Sequence, residues 1–248
     1  MTERIHQLSY DTYPTGYFQG VRPEMLRFVP AHCRRVLEVG CAEGAFGESL
    51  RTTRKIEVWG VEPNKPAAAK AKARLDRVIE GVFGPEIALP AEYFDCVVFN
   101  DVLEHMLAPE MALRYAKGLL TPSGVVVASI PNIRFLPMVY KLMIHARWEY
   151  EDSGILDKTH LRFFTRSSIV NIFEREGFAI DNVCGIHAWE GSPHTRWLLW
   201  WRAFKLANVI FFNKFGDMRF LQFAVVAKPM VQLVEKDNSH WNTFLISP

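Results

Sequence analysis

Cysteine is scarce and scattered, with four residues at positions 33, 41, 96 and 184 of 248, no C-x-x-C pair and no histidine cluster at zinc-ligand spacing. That excludes a disulfide framework and a zinc finger, and it fits reduced thiols in a cytoplasmic protein. No metal site is expected. An excess of one charge is also missing: 29 Lys and Arg stand against 27 Asp and Glu, a formal net charge of +2. Such a balance gives no reason to expect nucleic acid or an anionic membrane as the main partner. The N-terminus, Met-Thr-Glu-Arg-Ile-His-Gln, lacks the apolar core of a signal peptide. Nor is there a Gly-x-x-x-x-Gly-Lys-Ser/Thr loop to cradle a triphosphate. Internal repeats and low-complexity tracts are absent.

What is present is a globular composition, 49% hydrophobic and 23% charged, in a chain long enough for one large α/β domain with insertions. The most informative stretch is Arg-Val-Leu-Glu-Val-Gly-Cys-Ala-Glu-Gly at 35–44. An apolar run ends in a glycine turn and leads into a helical segment. A buried parallel strand built this way leaves backbone N–H groups at its carboxyl end, where open α/β sheets bind ligands. Gly40 and Gly44 admit a ligand close to the backbone, and Glu38 offers an acceptor to a cationic or hydroxyl-bearing group.

Further apolar runs alternate with helical segments, which argues for a mostly parallel sheet covered on both faces. Strands are expected at 56–61, 77–79, 93–100, 125–130, 178–186 and 221–228, the last antiparallel. Helices are expected at 66–75, 109–120 and 167–176, with a short one at 23–28 and a turn at Thr121-Pro122-Ser123-Gly124. The domain is read as 1–232, followed by a polar tail at 233–248. Two stretches interrupt the alternation, at about 137–165 and 194–217, and long connections tend to be functional. The second holds Trp197-Leu-Leu-Trp-Trp201 and Val209-Ile-Phe-Phe212, too short and too polar for a membrane span. It reads as a cap on the domain, a dimer contact, or an interfacial membrane contact that reaches a lipid-linked substrate.

Glu62 ends the second strand, 22 positions after Gly40. In nucleotide-binding α/β folds an acid at about this spacing takes ribose hydroxyls. The hydride-transfer fingerprint G-x-G-x-x-G, aligned on Gly40, would need glycines where Ala42 and Ala45 stand, which weakens a nicotinamide-dependent oxidoreductase.

The stretches Glu38–Gly44, Val61-Glu62, Phe94–His105 and Leu120–Asn132, in that order, resemble the class I S-adenosylmethionine-dependent methyltransferases. The similarity is greatest to the bacterial branch of ubiquinone-biosynthesis and sugar or surface-glycan O-methyltransferases, and Gly154–Thr165 looks like a motif of that branch. The resemblance implies a Rossmann-like seven-stranded sheet, mostly parallel, with an antiparallel last strand, helices on both faces and helical lid insertions. It further implies S-adenosyl-L-methionine as cofactor, leaving as S-adenosyl-L-homocysteine. Glu38, Gly40 and Gly44 would surround the methionine moiety, with backbone contacts from Cys41 and Ala42. Glu62 would hold both ribose hydroxyls, Pro63 would pack near the adenine, and Val82 and Phe83 would flank it. Asn100 and Asp101 would line the pocket beside the methyl donor. Two positions depart from the pattern: Ala42 replaces a usual glycine, and Val82 stands where many relatives carry an aspartate that contacts the adenine. A non-catalytic cofactor binder on the same fold is the alternative that Val82 raises.

Methyl transfer from a sulfonium is a direct displacement that needs alignment and a deprotonated acceptor, with no metal required. His105 and His160 are the candidate bases, since imidazole titrates near neutrality. His105 either faces the pocket or holds backbone at a helix start; His160, flanked by Asp157 and Arg162, either reaches the acceptor or only folds its lid. Arg162-Phe163-Phe164 either binds an acidic acceptor or anchors the lid. Tyr17 and Arg22 are placed to close the pocket from the N-terminal side. The reading is a cytoplasmic methyltransferase, peripheral to the inner membrane face where its acceptor is lipid-linked, acting on an oxygen of a small-molecule, sugar or lipid-linked glycan acceptor.

Overall fold

The computed structural model describes residues 20–189 and 214–230, together with residues 202, 205, 206 and 208–210. Seven strands form one sheet: β1 (Arg35–Val39), β2 (Glu57–Glu62), β3 (Arg77–Glu80), β4 (Phe94–Asn100), β5 (Leu120–Pro131), β6 (Phe178–Ala188) and β7 (Phe220–Pro229). Their order is β3-β2-β1-β4-β5-β7-β6. All neighbours are parallel except β7, which runs antiparallel to β5 and β6. Central strands carry continuous apolar runs because both faces are covered: Val97, Val98 and Phe99 of β4 and Val126, Val127 and Ala128 of β5 are all fully buried.

Chain order runs outward from β1 in one direction and from β4 in the other, so their carboxyl ends part at the switch point where such sheets bind ligands. The loops leaving the two strands nearly touch there. A Cβ on Gly40 would lie 2.7 Å from a Val102 methyl, and Gly40 has φ +66°, so glycine answers both demands.

The helices are α1 (Ala45–Arg54), α2 (Lys65–Ala71), α3 (Pro109–Leu119), α4 (Leu136–His145) and α5 (Arg166–Arg175). Helix α5 starts as its sequence suggests, with a Thr165–Ser168 capping box, and it packs Phe173 edge-on against Phe178 of β6 at 5.9 Å. Each such buried ring contributes about 1.5–3 kcal/mol. Gly177 follows this helix at φ +77°. The segment expected at 23–28 is a 3-10 helix, Pro23–Phe28, held by Arg54, which donates to the carbonyls of Leu26 and Val29.

Two expectations are corrected. Helix α2 stops at Ala71 and continues to Leu75 only as turns, because Ala73 and Arg74 donate three residues back, to the Lys70 and Ala71 carbonyls, instead of four. The 121–124 turn is an irregularity inside β5: Leu120 pairs with Phe94 and Val125 with Cys96, so five steps on one strand match two on the other.

The first insertion contains α4 and then an irregular lid from 146 to 164, tied down by short bridges at Glu151–Asp157 and Asn132–Phe164. Of the second, residues 202, 205, 206 and 208–210 are helical, and Leu206, Val209 and Ile210 are exposed. Trp197–Trp201, Phe211, Phe212, His194, Tyr17 and the 233–248 tail lie outside the described residues. Among the described residues no helix is long and apolar enough to cross a membrane.

Candidate active site

A cavity of about 1860 Å³ opens at the carboxyl edge of the sheet, above the β1–β4 switch point. Typical small-molecule pockets occupy about 300–1,000 Å³, so this one has room for a nucleotide-sized ligand and a second molecule beside it.

Its first end is built by β1 and β2. Glu62, at the end of β2, is almost fully buried; its Oε2 accepts from the Ala42 N–H at 2.8 Å and its Oε1 from the Asn64 N–H at 2.8 Å. Those bonds fix the carboxyl in place and leave further lone pairs for hydroxyls. Burial nonetheless raises its pKa, against the two backbone donors. Glu38 is also buried and accepts from the Gly47 N–H at 3.2 Å; burial pushes it up to about 8. The Asn100 amide faces Glu38 and favours its charged form, yet neither amide atom makes a hydrogen bond of standard geometry. A buried amide with unused capacity beside a buried carboxyl fits the amino and carboxylate groups of an amino-acid moiety. Burial raises the Cys41 thiol, as do the nearby Glu38 and Glu62, so it is inert here.

The second end is built by the loop after β4 and by the lid. Glu104 and His105 lie in a 3-10 turn, Leu103–His105, and His160 comes from the lid. The Glu104 carbonyl accepts from both Leu161 N and Arg162 N at 2.8 and 3.0 Å, which docks lid to loop. The two imidazoles meet edge-on at 4.6 Å. Burial lowers the pKa of both, His105 to about 4 with a further push from His160, so both are neutral at pH 7. Burial raises Glu104 to about 8, partly offset by its own backbone N–H and by Arg22.

Arg22 closes this end from the N-terminal segment. It pairs with Asp101 and Glu24 and donates to Gln222 at 2.9 Å. Asp101 is held in turn by Ser129 at 2.9 Å and Gln222 at 3.0 Å.

The cavity lining thus includes Glu38, Gly40, Cys41, Ala42, Glu62 and Pro63 at one end, and Asn100, Asp101, His105 and His160 toward the other, with Val82 and Phe83 at the rim. Phe83 reaches it with little more than an edge, since its ring packs on Phe99 and Tyr115. Gly44 does not line it. With φ +82° it starts α1, and a Cβ there would press on Ala71 at 3.2 Å, so it serves helix packing. Arg162 donates to the Leu107 carbonyl, and Phe163 packs on Trp148, so this trio anchors the lid. Sequence reasoning passed over Glu104 as a site residue. The available signal was an acid beside His105, just past a buried strand.

Fold and site together define a Rossmann-like α/β protein with a nucleotide-sized cavity at its switch point. Residues 15–183 match the methyltransferase domain family. The chain belongs to that family, as a class I S-adenosylmethionine-dependent methyltransferase, and its cofactor is S-adenosylmethionine. A ubiquinone biosynthesis O-methyltransferase of Aeromonas salmonicida is 28% identical over 164 residues, 62% of this chain and 66% of that protein. A probable S-adenosylmethionine-dependent methyltransferase of Mycolicibacterium smegmatis is 29% identical over 155 residues, 62% of this chain and 55% of that protein. The chain therefore spans less than two thirds of the length of either relative. Among solved structures, a SAM-dependent methyltransferase from Archaeoglobus fulgidus superposes with TM-score 0.62 at 22% identity, covering 86% of this chain and 96% of that one. The family assignment leaves the oxidoreductase alternative without support.

Proposed function

We propose that this protein transfers the methyl group of S-adenosylmethionine to an oxygen of a small-molecule or glycan acceptor. The observation that carries this reading is one cavity with two differently built ends: a carboxyl pinned by two backbone N–H groups, and a pair of neutral imidazoles beside a buried acid. Glu62 takes the ribose hydroxyls, Pro63, Val82 and Phe83 border the adenine, and Glu38 and Asn100 receive the amino-acid portion. When bound, the cofactor supplies a methyl carbon activated by a positively charged sulfur. The chain's own work is to seat the acceptor oxygen in line and accept its proton.

His160 is the better placed base. Its Nδ1 lies 2.9 Å from the Ile155 carbonyl, which can only accept, so Nδ1 carries the proton and Nε2 keeps a lone pair. His105 is turned the same way by Thr159. The names of the relatives support an oxygen acceptor. Exposed Leu142, Met143 and Ile144 of α4, with Leu206, Val209 and Ile210, support a bulky amphiphilic or lipid-linked acceptor handled beside a membrane surface. Calorimetry with S-adenosylhomocysteine, followed by a mass-spectrometric search for methylated products over an acceptor panel, tests the reading. Binding with a methylated product is expected. Tight NAD(H) binding without S-adenosylhomocysteine binding would overturn it.

A further inference from the structure

We infer that Glu104, His105 and His160 form a binding site for a divalent first-row transition-metal ion at the acceptor end of the cavity. One ligand atom from each residue falls within 4.8 Å of the others, and His160 Nε2 is 4.0 Å from Glu104 Oε1. Donors bound to one ion at about 2.0–2.2 Å sit about 3–4 Å apart, so small side-chain rotations close the set.

Three further observations point to a ligand. Both Glu104 carboxylate oxygens are buried and unbonded, whereas buried carboxyls normally have partners. Each imidazole has its other nitrogen oriented from outside, as metal-bound histidines do. His160 Nδ1 faces the Ile155 carbonyl at 2.9 Å, and His105 Nδ1 faces the Thr159 carbonyl at 3.2 Å and its hydroxyl at 2.9 Å. That hydroxyl spends its own hydrogen on Asp157 at 2.7 Å, so it can only accept from His105. Both histidines are therefore Nδ1–H tautomers with the Nε2 lone pair free. Lastly, all three residues line the cavity, so coordination positions remain open on that side. Two imidazoles and one carboxylate suit zinc, manganese, iron or cobalt better than magnesium or calcium.

The inference rests on the methyltransferase reading and gives its acceptor end a specific chemistry. An acceptor hydroxyl bound at an open position is acidified and sheds its proton to water in the cavity. The oxygen lone pair forms the new O–CH3 bond as the S–CH3 bond breaks, and that bonding pair stays on sulfur to leave neutral S-adenosylhomocysteine. Here the His160 lone pair holds the ion instead of taking the proton directly. The acceptors favoured are those with an ionisable hydroxyl.

The test is a cobalt(II) titration of the full chain after chelator treatment, followed by visible d–d absorption. A stoichiometric band is expected, and Glu104→Gln and His160→Ala, on separate elements, should each weaken cobalt affinity by at least about tenfold. Both variants should keep S-adenosylhomocysteine affinity and near-ultraviolet circular dichroism, which shows that they are folded. No band with the unaltered protein, or a band that survives both substitutions, would overturn the site. S-adenosylhomocysteine binding on the same preparation separates the two ideas: binding without a cobalt band removes the metal site alone, while a cobalt band without it removes the cofactor reading instead.

Discussion

At one end of the cavity Glu62 has each carboxylate oxygen held by a backbone N–H at 2.8 Å, whereas at the other Glu104, just as buried, has neither oxygen bonded. Glu62 is satisfied before any ligand arrives, by main-chain groups of the glycine loop and of the turn after β2, although Asn100 beside Glu38 keeps both amide atoms unbonded. The second end depends on a lid that docks onto the loop after β4 through the Glu104 and Leu107 carbonyls and the His105–Thr159 contact. An unmet buried polar group costs about 1–3 kcal/mol, so the acceptor end stores a cost that a ligand there would relieve. On the proposed function, the carboxyl that meets the cofactor is positioned by the main chain, and the acceptor end is left to side chains with spare bonding capacity.

The comparison breaks if the two ends do not separate in kinetics. His160→Ala should lower turnover about 10²–10³-fold with any acceptor the wild type accepts, whether His160 takes the proton or holds an ion. S-adenosylhomocysteine affinity, measured by calorimetry, should stay within about twofold. Equal losses in both would show that His160 supports the whole cavity. Glu62→Ala is the converse: cofactor affinity should fall by about 1–3 kcal/mol through lost hydrogen bonds to ribose, with the Ala42 and Asn64 amides freed as well. An unchanged affinity would show that the ribose lies elsewhere.

The same division explains what could be read without coordinates. The strands showed as uninterrupted apolar runs, and Glu62 showed through its spacing from Gly40, because both follow from local periodicity and one crossover. Gly44 stands apart from the cavity lining, and its packing role was hidden because a positive φ at a helix start and a wall at a ligand look alike in sequence; the Ala71 contact shows the packing. His105 and His160 were legible singly as candidate bases, but their meeting with Glu104 was hidden for another reason. The three residues come from two loops far apart in the chain, and no periodicity links 105 to 160. The bulge at Leu120–Val125 was likewise hidden, since Thr-Pro-Ser-Gly has turn chemistry whether it ends a strand or kinks one.

Glu38 sharpens the comparison through pH. In the folded protein it stays protonated up to about 8, whereas its ordinary value is 4.5. Below pH 4.5 the group affects stability little. Between 4.5 and 8 the unfolded chain releases a proton that the folded protein retains, so stability falls as pH rises through that window. Glu38→Gln should remove that dependence and melt higher than wild type above pH 8, by about 1–3 kcal/mol, while binding the cofactor more weakly. A variant no more stable at alkaline pH would mean that Glu38 is already ionised and paired.

The smallest effect belongs to Ala42, the departure from the glycine usual in this loop. Its φ of +50° places it in the left-handed region, and its N–H is the donor to Glu62. A non-glycine residue there costs about 1–2 kcal/mol locally, but glycine also loosens the unfolded chain, which returns part of the gain. Ala42→Gly should therefore stabilise by about 0.5 kcal/mol and raise Tm by about 1–2 °C in a chain of this size. Cofactor affinity should stay within about twofold, because the backbone donor remains. If the melting temperature falls instead, the Ala42 methyl is a packing contact in the cofactor end, and rigidity there depends on side chains as much as on the backbone.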